Sequence, residues 1–121
     1  MKIFGNDWPT PDVTPIRDYI HVMDLSEAHI GVLENLFENE SRCLTLNIGT
    51  GLSTSVIELV KTFEKVNNVP FVFTDRRFGD AGYVVADNSL LKSEFKIFPR
   101  MNLEDIFRDG WKWKSLNPDG F

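Results

Sequence analysis

Between Leu25 and Ile48 the spacing of apolar residues changes from a helical period to an extended one, which limits the chain to classes that mix helix and strand. Leu25, Ala28, Val32, Leu33, Leu36 and Phe37 recur at three- and four-residue steps, and this predicts a helix with one apolar face. Asp24 reads as its N-cap, with Glu27 completing a box-like pattern. Glu38-Asn39-Glu40-Ser41 reads as solvated loop. Cys43–Ile48 then alternates strictly, placing Leu44, Leu46 and Ile48 on one side of a strand that Gly49-Thr50-Gly51 ends.

The same exchange of elements runs through the rest of the chain. Met1–Phe4 reads as a short strand, and the turn formers from Gly5 to Asp12 leave Phe4 at the lip of a loop. Pro15 restricts Thr14 to extended backbone, which continues through Arg17–Val22. Ser55 and Glu58 form a capping box ahead of Val56, Leu59, Val60 and Phe63, so a second helix is predicted to reach about Val66. Phe71–Thr74 is a further strand, the Arg76–Gly82 loop leaves its end, and Tyr83–Val85 is extended. Asp87 or Asn88 caps a helix carrying Leu90, Leu91 and Phe95. Asn102 caps the last one, where Leu103, Ile106, Phe107 and Trp111 share a face and Lys112 and Lys114 suit the negative end of the dipole. The expectation is an α/β fold, α+β in flavour, in which a small sheet carries three to four helices. So small a sheet resembles one end of a larger domain and leaves an apolar face bare.

At 121 residues one domain is the default, and a formal charge of -5 argues against nucleic acid or an anionic membrane as partner, since both require clustered positive charge. Cys43 is the single cysteine and forms no internal disulfide; its apolar neighbours predict a buried small side chain and a reducing, cytoplasmic setting. Neither an apolar run of membrane-spanning length nor a secretion signal is recognisable.

Chemistry concentrates in two places. Arg76-Arg77-Phe78-Gly79-Asp80 sits in a loop where the planar fork of Arg77 suits phosphate oxygens, and Arg17-Asp18-Tyr19 offers a second guanidinium. Two arginines converging in space would grip a diphosphate, with Asp80 left as an acceptor for sugar hydroxyls. Each cluster equally accommodates a surface ion pair worth little, with Asp18 neutralising Arg17. Gly49-Thr50-Gly51 between strand and helix is a rival phosphate site, with Asp75 near where a ribose-binding acid would stand. Against that rival, Thr54 occupies the third glycine position of the dinucleotide fingerprint. Phe4 and Trp8 could each present a face to a planar base. His21 and His29 lack companions, so neither is given a role and a metal site has no support.

Five ordered motifs cover essentially the whole chain: Phe4–Asp12, Arg17–Leu25, Asn47–Gly51, Arg76–Asp80 and Asn117–Phe121. Together they resemble the C-terminal part of UDP-glucose 4-epimerases, which are extended short-chain dehydrogenases/reductases. The resemblance implies that residues 1–121 are a UDP-sugar-binding C-terminal domain, with the N-terminal NAD-binding Rossmann domain absent. It implies that Arg17 and Arg77 hold the diphosphate of UDP-glucose or UDP-galactose, that Asp80 accepts ribose hydroxyls, and that Lys2, Ile3 and Phe4 form the strand against which uracil lies. Val84 matches a sugar-pocket position whose bulk is associated with tolerance of N-acetylated hexoses. By the same match the Gly49–Gly51 turn is not the family's NAD loop. The family epimerises sugar C4 with bound NAD and a Tyr-x-x-x-Lys base. Here Tyr19 is followed four residues on by Met23 and Tyr83 by Asp87, so no cofactor and no catalytic residue are expected for this chain alone.

Two departures stand out: Val13 replaces a usual glycine, so the backbone before Arg17 is expected to differ, and Lys96-Ile97 stand where Gly-Trp is common. The resulting expectation is the substrate-binding portion of a 4-epimerase, inactive by itself. Its rivals are a non-catalytic subunit completed by a Rossmann-domain partner chain, and a dinucleotide module at Gly49-Thr50-Gly51. Self-association through the bare apolar face is also expected.

Overall fold

The computed structural model describes residues 1–39 and 42–120. In chain order its elements are β1 (Lys2–Phe4), β2 (Ile16–Arg17), α1 (Val22–Glu38), β3 (Thr54–Ser55), α2 (Val56–Glu64), β4 (Val72–Thr74), β5 (Tyr83–Val84), α3 (Ser89–Phe95) and α4 (Leu103–Leu116). The strands form two small sheets. β1 and β4 pair in parallel with Phe4 beside Thr74, while β2 lies between antiparallel β3 and parallel β5, with Arg17 beside both Thr54 and Val84. This is the mixed α/β arrangement expected, divided between two sheets.

Capping chemistry sets the helix starts. Ser55 Oγ accepts from Glu58 N at 3.1 Å and Glu58 Oε2 accepts from Ser55 N at 2.8 Å; Asn102 and Asp105 make the same reciprocal pair at 3.1 and 2.9 Å. The α1 start differs from expectation. The helix begins one turn earlier than an Asp24 cap implies, because His21 Nδ1 accepts from Met23 N at 3.0 Å and serves as N-cap. Asp24 instead sits inside the first turn, buried, and its carboxylate accepts from the backbone N–H of Arg100 and Met101 at 3.0–3.2 Å. It thereby fastens the segment between α3 and α4 onto α1.

Cys43–Ile48 is also corrected. Leu44, Leu46 and Ile48 are half-buried and Cys43, Thr45 and Asn47 exposed, so the alternation is real, yet the segment pairs with no strand among the described residues. A strand is a ladder shared by two chains, and period alone supplies only one of them. Cys43 is exposed, contrary to expectation, because it lies on the outward phase of that alternation. Glu40 and Ser41, within the expected loop, lie outside the described residues.

The core is small. Ile3, Val60 and Leu91 are at most 1% exposed, joined by Ala28 and Trp8. Phe63 of α2 meets Phe107 and Trp111 of α4 at centroid separations of 4.9 and 6.1 Å. By contrast Val22, Met23, Ile30, Leu33 and Phe37 of α1 remain exposed, Phe37 by 81%. The apolar stripe of α1 is therefore only partly used within this chain.

Both departures from the family pattern fall on unusual backbone. Among the described residues Val13 (φ 58°) and Lys96 (φ 56°) are the non-glycine residues with positive φ. The backbone at Val13 has therefore not relaxed to suit valine, as expected, but holds a glycine-like conformation. Neighbouring bonds enforce it: Val13 N donates to Thr10 O at 3.1 Å, Trp8 N donates to Val13 O at 3.2 Å, and Asp12 Oδ1 spans the residue by accepting from Thr14 N and Oγ1 at 3.0 and 2.7 Å. Lys96 is the left-handed C-cap of α3, a place where glycine is ordinarily used. An L-residue there costs about 1–2 kcal/mol, more for a β-branched one. After allowing for the flexibility glycine adds to the unfolded chain, Val13→Gly is expected to stabilise the protein by about 1 kcal/mol and Lys96→Gly by somewhat less. Thermal unfolding reads both; a lowered midpoint for Val13→Gly contradicts the strain.

Candidate functional site

A cleft of about 200 Å³ opens where the two sheets meet, lined by Lys2, Ile3, Phe4, Pro15, Arg17, Tyr19, Val56, Arg77 and Asp80. It brings together six of the residues singled out in the sequence, carried by β1, β2 and the loop after β4. The register explains the meeting. β1 and β4 run parallel with Phe4 opposite Thr74, so the chain beyond Thr74 leaves from the same edge as Phe4.

Arg77 is fixed from two sides. Its guanidinium lies 4.4 Å from the Phe4 ring centroid, and its Nε donates to Asp80 Oδ2 at 3.0 Å. Asp80 engages only that nitrogen, which leaves the terminal fork for another acceptor. Arg76 faces the other way. It stacks over Trp8 at 4.0 Å, and its Nε donates to Asp7 Oδ1 at 2.6 Å while a terminal nitrogen bonds Asp7 O. Adjacent arginines in extended chain thus serve opposite faces. Trp8 is core here, only 6% exposed, with its indole N–H donating to Phe4 O at 3.0 Å. It offers no face to a base, and Phe4 has one face covered by Arg77.

Arg17 donates through one terminal nitrogen to Ile16 O at 2.8 Å and lines the cleft. Asp18 does not pair with it. Its carboxylate turns to the other side and accepts from Thr50 N at 3.0 Å, from the Thr50 hydroxyl, from Gly51 N at 2.9 Å and from Ala86 N at 3.3 Å. Burial pushes this carboxyl upward, but the bonds from the Thr50 hydroxyl and from the Gly51, Thr50 and Ala86 amides outweigh it and hold the pKa below the ordinary aspartate value. The rival site at Gly49-Thr50-Gly51 is thereby excluded. The amides that would receive a phosphate already serve a carboxylate, and α2 starts only at Val56. Gly49 is needed for closeness, since a Cβ there would come within 2.6 Å of Asp18 Oδ2 and Ala86 Cβ.

Val84 does not line the cleft of the arginines. It lies in a neighbouring hollow of about 380 Å³ with Asp18, Ile20, Asn47 and Gly49, and Arg17 borders both spaces. Tyr19, Pro15 and Val56 belong to the first cleft and were not among the expected site residues. For Tyr19 a signal existed: it stands two residues from Arg17 in extended chain and so shares its side.

No family model matches this chain. Relatives and solved structures do. UDP-glucose 4-epimerase 4 of Oryza sativa subsp. japonica is 46% identical over the whole chain, and UDP-glucose 4-epimerase of Bacillus subtilis is 44% identical. The structure of a UDP-glucose 4-epimerase from Stenotrophomonas maltophila, with bound NAD and formylated UDP-arabinopyranose, superposes with a TM-score of 0.92 over 98% of this chain at 42% identity. That from Bifidobacterium longum, in complex with NAD+ and UDP, does so at 0.91 over 99% with 34% identity. The chain matches UDP-glucose 4-epimerases in sequence and in fold. It spans about a third of their length, 33% and 36% of the two curated relatives, and corresponds to the C-terminal part of the epimerase structures.

The Asp18 knot makes a pH prediction. A carboxyl whose folded pKa lies below its unfolded value stabilises fully above that unfolded value, 3.8, and loses the contribution as pH falls through the lower folded value. Asp18→Asn should cost about 1–3 kcal/mol at pH 7, since an amide cannot accept every bond the carboxylate does. In urea titrations the gap between variant and parent should close below about pH 4. A gap unchanged down to pH 2 contradicts the assignment.

Proposed function

We propose that this chain holds the UDP moiety of a UDP-hexose for epimerisation at sugar C4, as the substrate-binding part of a UDP-glucose 4-epimerase activity. The carrying observation is the shared cleft: Arg17 and Arg77 line one space, together with Asp80, and β1 lies along one wall. In this reading the arginines neutralise the diphosphate, Asp80 accepts ribose hydroxyls with the oxygen that Arg77 does not use, and Lys2–Phe4 lie along the uracil. Val84, bordering the adjoining hollow, would face the hexose. Its modest volume leaves room there for either UDP-glucose or UDP-galactose.

NAD supplies the hydride chemistry in such enzymes, and the described residues do not fit it. The Gly49–Gly51 amides are taken by Asp18, and no tyrosine has a lysine four residues on. The reacting centre is therefore assigned to a part outside this sequence, and the chain alone is proposed to be inactive. The exposed stripe of Val22, Met23, Ile30, Leu33 and Phe37 supports a covering body, either an NAD-holding Rossmann partner or, in its absence, a second copy of this chain. No described helix is long and apolar enough to cross a membrane. A cytoplasmic setting, where UDP-sugars and reduced thiols coexist, suits the exposed Cys43.

Calorimetric titration with UDP tests the site. Binding by the isolated chain is expected to be weak, near millimolar, and Arg77→Ala or Arg17→Ala should each weaken it about tenfold or more, the worth of a charge-assisted bond. Affinity unchanged in both variants sinks the reading. Sedimentation tests the covering surface: the parent should self-associate and Leu33→Ser/Phe37→Ser should not, whereas a monomeric parent refutes it.

A further inference from the structure

His21 serves two helices through one ring. It stands just before α1, buried, and its Nδ1 accepts from Met23 N at 3.0 Å as the helix cap. The other nitrogen, Nε2, lies 3.4 Å from Asp109 Oδ2 of α4. These two contacts fix the chemistry of the ring. A nitrogen that accepts a hydrogen bond carries no proton, so the capping ring is neutral with its hydrogen on Nε2, directed at Asp109. A second proton has only Nδ1 to occupy, and there it would meet the Met23 N–H, donor against donor. Cap and positive charge therefore exclude each other at this residue.

The surroundings give the charged ring somewhere to go. Asp109 takes the Arg108 Nε on Oδ1 at 3.3 Å, which leaves Oδ2 for His21. Asp105, held below the ordinary aspartate range first by the Asn102 amide and then by Arg108, also feels the charge of His21. Arg108 opposes a proton on the ring, but it is paired with both acids, and together the three groups leave a net negative charge on this part of α4. On α1 itself Asp24 and Glu27 are turned to Arg100, the first to its amide and the second to its guanidinium. Burial disfavours an unpaired imidazolium, and Asp109 supplies the pairing that offsets it.

The turn at stake does more than begin a helix. It carries Asp24, whose carboxylate holds the amides of Arg100 and Met101. Loss of the cap thus loosens the first turn of α1 and, through Asp24, the segment that leads into α4.

We propose that His21 is a pH-sensitive latch: neutral, it caps α1; protonated, it releases the Met23 amide and pairs with Asp109 on α4. The latch is independent of what the cleft holds.

NMR of the full chain tests it, following the His21 ring nitrogens and the solvent exchange of backbone amides at pH 8 and pH 5, on either side of the ordinary imidazole value of about 6.5. At pH 8 the ring should carry its proton on Nε2. From pH 8 to pH 5 the protection of the Met23 amide, corrected for intrinsic exchange, should fall about fivefold to tenfold, as for one lost hydrogen bond. The Asp105 amide, capped by Asn102, should keep its protection. His21→Asn retains a capping acceptor that does not titrate, so its Met23 amide should be protected alike at both pH values, whereas His21→Ala should show the low protection at both. A proton on Nδ1 at pH 8, or a ring still neutral at pH 5, overturns the latch. So does a parent Met23 amide indifferent to pH, an equal loss at Asp105 or in His21→Asn, or full protection in His21→Ala.

Discussion

One carboxylate joins what the small hydrophobic core does not. Asp18 binds the backbone of the 49–51 turn and of Ala86, so the end of β2, the approach to β3 and the exit of β5 are tied at a single point. Everything proposed for the cleft depends on that tie. It decides which way Arg17 and Tyr19 face, and it sets Arg17 beside Val84, the residue that borders the neighbouring hollow. The four bonds gather on one half-buried carboxylate, and such mutually polarising hydrogen bonds hold their surroundings in place.

Alternation in extended chain is the device used repeatedly. Arg76 and Arg77 are neighbours, yet one stacks on Trp8 and braces the loop while the other stacks on Phe4 and faces the cleft. The brace gives the cleft its floor, because the Trp8 indole bonds the carbonyl of Phe4. A bracing arginine and a cleft-facing arginine thus stand next to each other in the chain. The electrostatics follow the same logic: acidic overall, the chain concentrates positive charge locally where a small anion would sit.

Local signals were the legible part of the sequence. The Ser55–Glu58 capping box and the Asn102 cap appear as read, since each is satisfied within four residues of chain; Asp105 completes a box at Asn102 that had not been expected. Lys2, Ile3, Phe4, Arg17, Arg77 and Asp80, singled out in the sequence, line one cleft. What failed depended on distant partners. Asp24 has the chemistry of a cap, but the amides it serves belong to Arg100 and Met101, and His21 caps instead. Cys43–Ile48 has the period of a strand without a described partner. Asp18 looked like the counter-ion of Arg17 because they are adjacent, although adjacency in a strand separates side chains. Val13 and Lys96 are instructive in the other direction. Where glycine was replaced, the backbone kept its left-handed form: at Val13 hydrogen bonds among Trp8, Thr10, Asp12 and Thr14 hold the turn, and at Lys96 the position is the C-cap of α3.

The central claim is that two guanidiniums, far apart in sequence, serve one diphosphate. A crystal structure of the chain grown with UDP reads this directly. The account predicts pyrophosphate density within hydrogen-bond distance of both Arg17 and Arg77, with the ribose toward Asp80. Ordered nucleotide whose phosphates touch neither arginine would contradict it.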